Sequence, residues 1–400
     1  MTEAKHLRLK AKKDASILRR HPWVFSGAIK EASPGLQQGD LVEVLAHKGR
    51  RLGWGHWSSG ASIAVRMLTF GEAESPQSEW WSRQIAAAVS LRESLGLIHR
   101  PDQNSCRLIH AEGDGLPGLI ADWYNGVVVL QTHSVGMSRA LPEILQGLQN
   151  ALGDSLRGVY NKSEKVLAKH GQSPSQPDGW LMGEISTDTV HAMEHGMTFE
   201  VDIVQGQKTG FFLDQRENRS LLRQLSRGKK VLNVFSYTGG FSIAALQGGA
   251  EKAWSLDSSA RALEVSELNA QLNGFDGSQH ITIESDAVAY LKDGVGESDI
   301  VVLDPPAFAK SASARHAAVQ GYKRINQRAM QSMKPGALLF TFSCSQAVDD
   351  RLFTNTVVAA AISAERTVKI LYRLHQPPDH PVSAFHPEGA YLKGLVVAVY

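Results

Sequence analysis

The chain has 400 residues, too many for one ordinary domain, so its length favours two to four domains. Hydrophobic residues make up 42% of it and charged residues 20%, a composition typical of soluble globular proteins. The formal net charge of +2 permits a nucleic-acid partner without requiring one. Cys106 and Cys344 are too few for a disulfide scaffold or a cysteine-based zinc site, and reduced thiols fit the cytoplasm. The apolar runs are too short to span a bilayer. We therefore expect a cytoplasmic protein without a membrane span or a bound metal.

The first part of the chain combines short strands with a basic start. Residues 41–46, 51–57 and 62–68 are rich in strand-forming side chains and are separated by turns, which predicts a small barrel or sandwich. The basic side chains before them are Lys5, Arg8, Lys10, Lys12, Lys13, Arg19 and Arg20. Such a run is either a phosphate-binding surface or a solvated face, and charge alone does not decide between the two.

A middle segment of mixed character begins after Ser75 and Pro76. The sequence predicts helices over residues 79–95 and 138–152, and strands over residues 106–111, 119–123, 127–133 and 158–162. Residues 171–179 are rich in Gly, Ser and Pro, which predicts a loop.

Strands and helices alternate in the last part of the chain. Strands are predicted over residues 231–235, 253–256, 281–284, 299–303 and 337–343. Helices are predicted over residues 220–227, 241–247, 260–273, 286–292, 317–333 and 350–364. This alternation predicts an α/β domain with a mainly parallel sheet. Residues 368–375 and 393–400 lack a helix between them and therefore predict an antiparallel pair. The combination resembles the Rossmann-like class I methyltransferase fold.

The loop after the first of these strands carries the signs of a cofactor site. It reads Ser236, Tyr237, Thr238, Gly239 and Gly240, and a glycine turn there lets the backbone approach a ligand. Asp257 ends the next strand, where an acidic residue binds ribose hydroxyls, although an N-cap role explains it equally well. Asp286 ends the third strand and is placed to accept a hydrogen bond from an adenine amino group. A dinucleotide site is disfavoured because G-x-G-x-x-G is absent.

Two further strand ends suggest the reaction chemistry. The fourth strand ends in Asp304, Pro305, Pro306, Ala307 and Phe308, which is either a substrate site or a plain turn. The fifth ends in Cys344, which is either a nucleophile or a buried small hydrophobe. Carbon 5 of cytosine is too weak a nucleophile to take a methyl group directly. A thiolate that adds to C6 raises the electron density at C5, and Asp304 is placed to hydrogen-bond to N3 as charge develops.

Several motifs together resemble the bacterial 23S rRNA cytosine-C5 methyltransferase I family. They are residues 20–25 (RHPWVF), 206–218 (GQKTGFFLDQREN), 233–241 (NVFSYTGGF), 304–306 (DPP), 343–345 (SCS) and 391–394 (YLKG). The resemblance covers nearly the whole chain. It implies three domains: a small β-barrel PUA domain that binds RNA over residues 1–74, a central α+β domain over residues 75–197, and a methyltransferase domain over residues 198–400.

The resemblance also implies the cofactor, the partner and the residue roles. The cofactor is S-adenosylmethionine and the partner is 23S ribosomal RNA, while the oligomeric state, a homodimer included, stays open. Cys344 and Asp304 are the implied catalytic residues, and Pro305, Phe308, Arg20 and Trp23 the implied substrate contacts. The implied cofactor contacts are Lys208, Thr209, Gly210, Phe211, Asp214, Arg216, Phe235, Ser236, Tyr237, Thr238, Gly239, Asp257, Ser258, Asp286, Ala287 and Asp304.

Two departures from related patterns bear on this interpretation. Arg20 stands where the family has a glycine-like residue, which affects the local backbone or phosphate contacts. Many RNA cytosine-C5 methyltransferases carry a second cysteine in the fourth-strand loop, which is missing here, so release of the thiol must proceed differently. The base that removes the C5 proton is not identified by the sequence; His380 is a candidate, with a turn-stabilising role as the alternative.

Two other functions compete with this one. An amine methyltransferase that acts on guanine or adenine would use Asp-Pro-Pro to hold the amino group, but it needs no thiol, so Cys344 discriminates against it. A non-catalytic PUA protein that only binds RNA would have no use for Asp257, Asp286, Asp304 and Cys344.

Overall fold

The computed structural model describes residues 5–183, 185, 187–309 and 312–400, and the chain divides into two units. The first unit comprises Met1–Val190, Val201–Phe211 and Pro378–Gly389. The second comprises His191–Glu200, Phe212–Pro377 and Ala390–Tyr400. The three-domain division with boundaries at 74/75 and 197/198 stays a prediction.

A six-stranded sheet opens the first unit. Its strands are β1 (His6–Leu9), β2 (Trp23–Phe25), β3 (Ile29–Ala32), β4 (Leu41–Leu45), β5 (Arg51–Trp57) and β6 (Ile63–Met67), with the short helix α1 (Ala15–Leu18) after β1. The spatial order is β2-β6-β5-β4-β1-β3. Side chains alternate between buried and half-buried positions along β4, so the strand turns one face to an apolar core that includes Val42 and Val44. The three longer strands match the predicted ones.

A five-stranded sheet and several helices follow the six-stranded sheet in the first unit. The strands are β7 (Ser105–His110), β8 (Leu119–Tyr124), β9 (Val127–Thr132), β10 (Gly158–Asn161) and β11 (Gly179–Met182), and the helices are α2 (Ser78–Ser94), α3 (Val135–Arg139), α4 (Leu141–Leu152) and α5 (Glu164–Ala168). The order is β11-β10-β9-β8-β7. The helix predicted over 138–152 is confirmed over Leu141–Leu152 but is separated from α3 at Ala140. Pro142 lies in the first turn of α4 and has no backbone N–H to continue the hydrogen bonding of α3. Ser134 caps α3, which starts earlier than predicted.

A two-stranded sheet follows, formed by β12 (Thr189–Glu194) and β13 (Met197–Asp202). His195 and Gly196 join these strands, and both have positive φ angles, as a tight hairpin turn requires. Neither strand was predicted from the sequence.

The second unit is built on a seven-stranded sheet. Its elements in chain order are α6 (Arg216–Leu225), β14 (Lys230–Val234), α7 (Gly240–Gln247), β15 (Lys252–Asp257), α8 (Ala260–Leu272), β16 (His280–Glu284), α9 (Ala287–Tyr290), β17 (Ile300–Leu303), α10 (Arg315–Ser332), β18 (Ala337–Ser343), α11 (Asp350–Ser363), β19 (Val368–Leu374) and β20 (Lys393–Val399). The order is β16-β15-β14-β17-β18-β20-β19, with β20 antiparallel to both neighbours. The predicted sheet and its antiparallel closing pair are confirmed.

Apolar side chains cover both faces of this sheet. Val231 belongs to the cluster on one face, while Leu232 and Val234 belong to the cluster on the other. This division follows from the alternation of side chains along β14, which is buried almost throughout. No helix in the described part of the chain is both long and apolar enough to cross a bilayer.

Candidate active site

The parallel strands of the second unit bring the predicted site residues to one sheet edge. Strand β14 lies between β15 and β17, and β17 lies beside β18, all with the same direction. Asp257 ends β15, while Asp304 and Cys344 follow directly after β17 and β18. The carboxyl ends of parallel strands in an open α/β sheet form a crevice that binds ligands. The strand pairing therefore places Asp257, Asp304 and Cys344 around such a crevice.

The loop after β14 is held in a strained conformation. Phe235 and Tyr237 have φ angles of 62° and 48°, which side-chain-bearing residues rarely adopt. The loop is fixed by hydrogen bonds from Ser236 N to Leu256 O at 3.0 Å and from Tyr237 N to Asp257 Oδ2 at 2.9 Å. Such strain persists where the surroundings enforce it, and it concentrates at ligand sites.

Two buried hydroxyl groups in this loop make no hydrogen bond within the described part of the chain. Ser236 Oγ and Thr238 Oγ1 are both buried, yet neither makes a hydrogen bond to any of the residues that the structure describes. A buried hydroxyl without a hydrogen bond costs about 1–3 kcal/mol. The loop thus offers two polar groups that a bound ligand can satisfy.

Gly239 is required by helix packing as well as by the loop turn. It precedes α7 with φ 81°, and a Cβ atom at this position would lie 2.1 Å from Ser266 Oγ on α8. The sequence motif suggested a glycine that admits a ligand. The contact with Ser266 shows that the missing side chain also allows α7 and α8 to pack closely.

The two acidic residues at the ends of β15 and β16 differ in their hydrogen bonds. Asp257 accepts hydrogen bonds from the backbone N–H groups of Tyr237 and Ser259, and the N-cap of α8 is Ser259 rather than Asp257. Asp286 caps α9, because its Oδ1 accepts from Ala289 N at 2.8 Å. The N-cap alternative raised for Asp257 therefore applies to Asp286, whose carboxylate is exposed.

Cys344 is half-buried directly after β18 and packs against an apolar cluster, whereas Cys106 is fully buried in the core of the first unit. Ser345 ties the Cys344 loop to the loop after Asp304, since Ser345 Oγ accepts a hydrogen bond from Ala309 N at 3.1 Å. The same hydroxyl meets the Tyr322 hydroxyl at 2.8 Å. The Cys344 and Asp304 loops are thus connected through one buried serine.

The side chains next to Asp304 differ in exposure. Pro305 is buried, and Phe308 packs on Tyr322 with their ring centroids 4.7 Å apart. Pro305 therefore fixes the loop from within, while Phe308 joins the apolar cluster that contains Tyr322.

Comparisons with known proteins identify the family. A model of the S-adenosylmethionine-dependent methyltransferases matches residues 106–397, and a model of PUA-like domains matches residues 7–70. The Ribosomal RNA large subunit methyltransferase I of Shewanella denitrificans is 41% identical over 399 residues, which cover 98% of this chain and 99% of that protein. The chain belongs to the ribosomal RNA large subunit methyltransferase I family.

Two more similarities agree with this assignment. The member of this methyltransferase family from Aeromonas salmonicida is 40% identical over 388 residues, 96% of this chain and 97% of its own. A solved structure from Streptococcus mutans, described as a SAM-dependent methyltransferase, superposes with a TM-score of 0.83 at 21% identity, covering 98% of this chain and 99% of that one. That structure supports the fold. The cofactor of this methyltransferase is S-adenosylmethionine.

The residues from 208 to 216 are divided between the two units. Asp214 and Arg216 belong to the second unit, where Asp214 Oδ2 accepts a hydrogen bond from the Tyr391 hydroxyl at 2.7 Å. Lys208, Thr209, Gly210 and Phe211 belong to the first unit. Thr209 is buried there and donates to Asp122 Oδ2 at 2.6 Å. Asp214 and Arg216 thus belong to the unit that contains the seven-stranded sheet, and Lys208–Phe211 belong to the first unit.

The backbone geometry at position 210 requires a glycine. Its φ angle is 126°, and a Cβ atom would lie 2.5 Å from Val201 Cγ1 and 2.8 Å from Asp202 O. A side chain at this position of the 206–218 motif would therefore clash with β13, which precedes the motif.

Arg20 and Trp23 lie in the first unit. Arg20 has a φ angle of 61°, a conformation that glycine adopts readily, and this explains why a glycine-like residue suits the position. Its guanidinium lies 6.0 Å from the ring centre of Phe385, which is 51% exposed. Trp23 is half-buried, and its Nε1 donates to Glu112 at 2.8 Å. Phe385 was not predicted from the sequence, because it is brought beside Arg20 only by the fold.

A cluster of His21, His386 and Glu388 brings three possible metal ligands within 4.8 Å of one another. His21 Nδ1 accepts a hydrogen bond from Trp23 N at 3.2 Å. Glu388 lies 3.6 Å from His21 Nε2 and 3.9 Å from His386 Nε2, beyond hydrogen-bond distance. Neither ring nitrogen of the buried His386 has a hydrogen-bond partner among the residues that the structure describes.

His380, the candidate base, is buried in the first unit. Its Nδ1 lies 3.1 Å from Asp379 Oδ1, and its ring centre lies 5.0 Å from that of His110. These contacts agree with the turn-stabilising alternative.

Lys393 lies near the Cys344 loop and was not predicted as a site residue. Lys393 belongs to the YLKG motif, but the sequence did not indicate where its ammonium group lies. That position depends on the pairing of β18 with β20.

Proposed function

We propose that this methyltransferase transfers a methyl group to C5 of a cytosine in 23S ribosomal RNA. The position of Cys344, at a sheet edge beside Asp304, carries the proposal. An amine methyltransferase has no use for a thiol there, whereas C5 chemistry needs a nucleophile. The relatives named as ribosomal RNA large subunit methyltransferases support ribosomal RNA as the substrate class.

The proposed reaction begins at Cys344. Its thiolate adds to C6 of the target base, and the electron pair of the C5–C6 double bond becomes available at C5. The carboxyl group of Asp304, carrying a proton, donates a hydrogen bond to N3, where negative charge develops. The bound cofactor supplies the methyl group that C5 accepts. The C5 proton then passes to water, its electron pair re-forms the C5–C6 double bond, and the C6–S bond breaks, which restores both the ring and Cys344.

The cofactor is proposed to lie over the loop after β14. The unpartnered hydroxyls of Ser236 and Thr238 support this placement, and Asp257 is proposed to bind the ribose and Asp286 the adenine. The further proposed contacts are Lys208, Thr209, Gly210, Phe211, Asp214, Arg216, Phe235, Tyr237, Gly239, Ser258, Ala287 and Asp304. Pro305 and Phe308 are proposed to shape the pocket for the base.

The first unit is proposed to hold the RNA. A groove of about 660 Å³ is lined by Arg20, Arg83, Phe70, Trp80 and Phe385, among others. Guanidinium groups contact phosphates, and exposed aromatic rings stack on bases, so these side chains suit single-stranded RNA. Glu74, Glu79 and Glu112 also line the groove. Their carboxylates repel phosphates but can accept hydrogen bonds from base amino groups. Trp23, half-buried and bonded to Glu112, is proposed to shape this surface.

Mapping of methylated nucleotides tests the proposal. Ribosomal RNA from cells without the protein is incubated with S-adenosylmethionine and either the wild-type protein, Cys344→Ala or the control Cys106→Ala. The expected product is 5-methylcytosine with wild type and Cys106→Ala, and none with Cys344→Ala. Methylation by Cys344→Ala at a near-normal rate, or a methylated purine amine as the product, would support the amine methyltransferase instead.

A further inference from the structure

A buried ammonium group lies beside the loop that carries Cys344. Lys393 begins β20 and is paired with Ser343 in the antiparallel register between β18 and β20. Its side chain is buried, and Nζ donates a hydrogen bond to Ser345 O at 2.9 Å. The lysine thus contacts the chain on both sides of Cys344, through strand pairing before it and through a hydrogen bond after it.

The surroundings of Lys393 leave its positive charge poorly compensated. Burial lowers the pKa of the Lys393 ammonium, while Asp350, Cys344 and Asp349 raise that pKa, in this order of size. Both aspartates are exposed at the start of α11, so water screens their charges. Among the residues that the structure describes, the ammonium makes its one hydrogen bond to the neutral carbonyl of Ser345. A buried cation needs an anion close by, and the Cys344 sulfur is the partly buried group able to supply one.

Tyr322, one titratable neighbour of the Cys344 loop, does not supply a competing charge. Tyr322 on α10 faces the same loop, and burial raises the pKa of its hydroxyl, so that it stays neutral. Its hydroxyl bonds to Ser345 Oγ and holds the loop in place. The titratable groups that face the Cys344 loop in the described residues include Lys393 from β20, Tyr322 from α10, Asp349 and Asp350 at the start of α11, and Asp304 after the neighbouring strand β17. A negative charge on Asp304 would oppose a thiolate, so a thiolate at Cys344 requires that the charge of Lys393 outweighs it.

We propose that Lys393 is a positioning residue that holds Cys344 as a thiolate before the RNA base arrives. The S–H bond breaks, its electron pair stays on sulfur, and the proton leaves to water while Lys393 keeps its own. The sulfur is then ready to attack without a separate base. This assignment rests on the proposed function, in which Cys344 is the nucleophile.

The test measures the reactivity of Cys344 with iodoacetamide as a function of pH, because only the thiolate is alkylated. The full-length protein is used without RNA, and the adduct on the Cys344 peptide is quantified by mass spectrometry, which separates it from Cys106. Lys393→Met removes the charge and Lys393→Arg keeps it. The control is Lys334→Met, since Lys334 also donates to a backbone carbonyl, Glu297 O at 2.6 Å, but near the other end of β18.

The wild-type protein is expected to show an alkylation pKa clearly below the ordinary thiol value of about 8.5. Lys393→Met is expected to raise that pKa by about one unit, which lowers the alkylation rate at pH 7 roughly tenfold. Lys393→Arg and Lys334→Met are expected to stay close to wild type. An unchanged pH profile in folded Lys393→Met would overturn the proposal.

Two further outcomes keep the test decisive. If Lys393→Met does not fold, the wild-type profile alone decides, because an alkylation pKa at or above about 8.5 contradicts a preformed thiolate. If the wild-type pKa is low and depends on Lys393, but Cys344→Ala still methylates RNA, the pairing of Lys393 with Cys344 stands and the proposed function fails.

Discussion

Asp257 is held by the loop that it helps to form. Both of its carboxylate oxygens accept backbone N–H groups, from Tyr237 at 2.9 Å and from Ser259 at 3.0 Å. Each oxygen has a second lone pair that remains able to accept a ribose hydroxyl. The backbone contacts therefore hold the carboxylate in place and leave both of its oxygens able to accept a further hydrogen bond.

Asp257→Ala is expected to weaken the binding of S-adenosylmethionine. Each hydrogen bond to a charged carboxylate is worth roughly 1.5–3 kcal/mol, so the affinity should fall by at least about tenfold. Isothermal titration calorimetry measures the change. The matched control is Asp276→Ala, because Asp276 also accepts a backbone N–H, from Ser278 at 2.8 Å, but on an exposed loop after α8. Equal affinity in wild type and Asp257→Ala would remove Asp257 from the cofactor site.

Strand-end patterns in the sequence were sufficient to find Asp257, Asp304 and Cys344, because parallel strands place their ends at one edge. The proximity of Lys393 to the Cys344 loop was not predictable in this way. It depends on a pairing between β18 and β20, and sequence alone does not give the register of two strands separated by a helix and another strand. The unpartnered hydroxyls of Ser236 and Thr238 likewise became visible only when the loop around them was known.

The contact between α7 and α8 depends on the absence of a side chain at Gly239. A Cβ atom there would lie 2.1 Å from Ser266 Oγ, whereas a Cβ atom at Gly274, with the same φ of 81°, meets no atom within 4 Å. The two glycines therefore separate the cost of the backbone conformation from the cost of the steric contact.

Gly239→Ala is expected to destabilise the protein by about 1–3 kcal/mol more than Gly274→Ala does, because overpacking adds to the conformational cost. Urea denaturation measures both free energies of unfolding. The double variant Gly239→Ala/Ser266→Ala is expected to recover part of the loss. Equal destabilisation by the two glycine variants would show that the helices separate without cost.

His56 on β5 makes the first unit sensitive to acid. Burial, together with the charges of Arg66 and Arg139, lowers the pKa of this imidazole from 6.5 to about 4. Below pH 6.5, His56 is protonated in the unfolded chain, whereas in the folded chain it stays neutral down to about pH 4. The free energy of unfolding should therefore fall as the pH is lowered through this window, by about 3 kcal/mol from His56 alone.

Urea denaturation at several pH values between 7 and 4 checks this expectation. His56→Gln should reduce the dependence of the unfolding free energy on pH, whereas His47→Gln, at an exposed position, should preserve it. A pH dependence that is unchanged in His56→Gln would show that the buried imidazole is protonated as easily as in the unfolded chain.

At the level of secondary structure, the sequence predicted the elements best where strands and helices alternate over a long stretch of the chain. The seven strands of the second unit were found with their order along the chain, and helix bounds differed by a few residues. Strands β1, β2 and β3, with three or four residues each, were missed. Length alone does not explain the misses, because β12 and β13 were also missed with six residues each, whereas β10 and β17 were predicted with four. Helix α6 begins at Arg216 rather than at residue 220, since a 3₁₀ turn at Leu213–Gln215 leads into it.

The two units of the molecule are assembled from separated parts of the chain. Residues 378–389 group with the first unit although they lie near the C-terminus, and residues 191–200 group with the second. Sequence patterns describe neighbours along the chain, so they predicted consecutive domains and gave no sign of this exchange. The PUA-like and methyltransferase parts were nevertheless recognisable from their motifs.

RNA binding by the whole protein is expected to depend strongly on salt, because phosphate contacts release counterions. Lys12 and Lys13 are exposed near the start of the first unit. The double variant Lys12→Gln/Lys13→Gln should weaken binding to 23S ribosomal RNA and lower the slope of log affinity against log salt by about one per lost contact. Filter binding at several salt concentrations measures the slope, with Lys334→Gln as the control. A slope near zero in the wild type would contradict the proposed RNA surface.

The covalent bond between Cys344 and the RNA base is the central claim, and trapping it is the most direct test. RNA transcribed with 5-fluorocytosine is incubated with the protein and S-adenosylmethionine, and the products are separated under denaturing conditions. Fluorine at C5 cannot leave as a proton, so the adduct should persist in wild type and in the control Cys106→Ser, and be absent in Cys344→Ser. No adduct in the wild type, or an undiminished adduct in Cys344→Ser, would contradict the proposed mechanism.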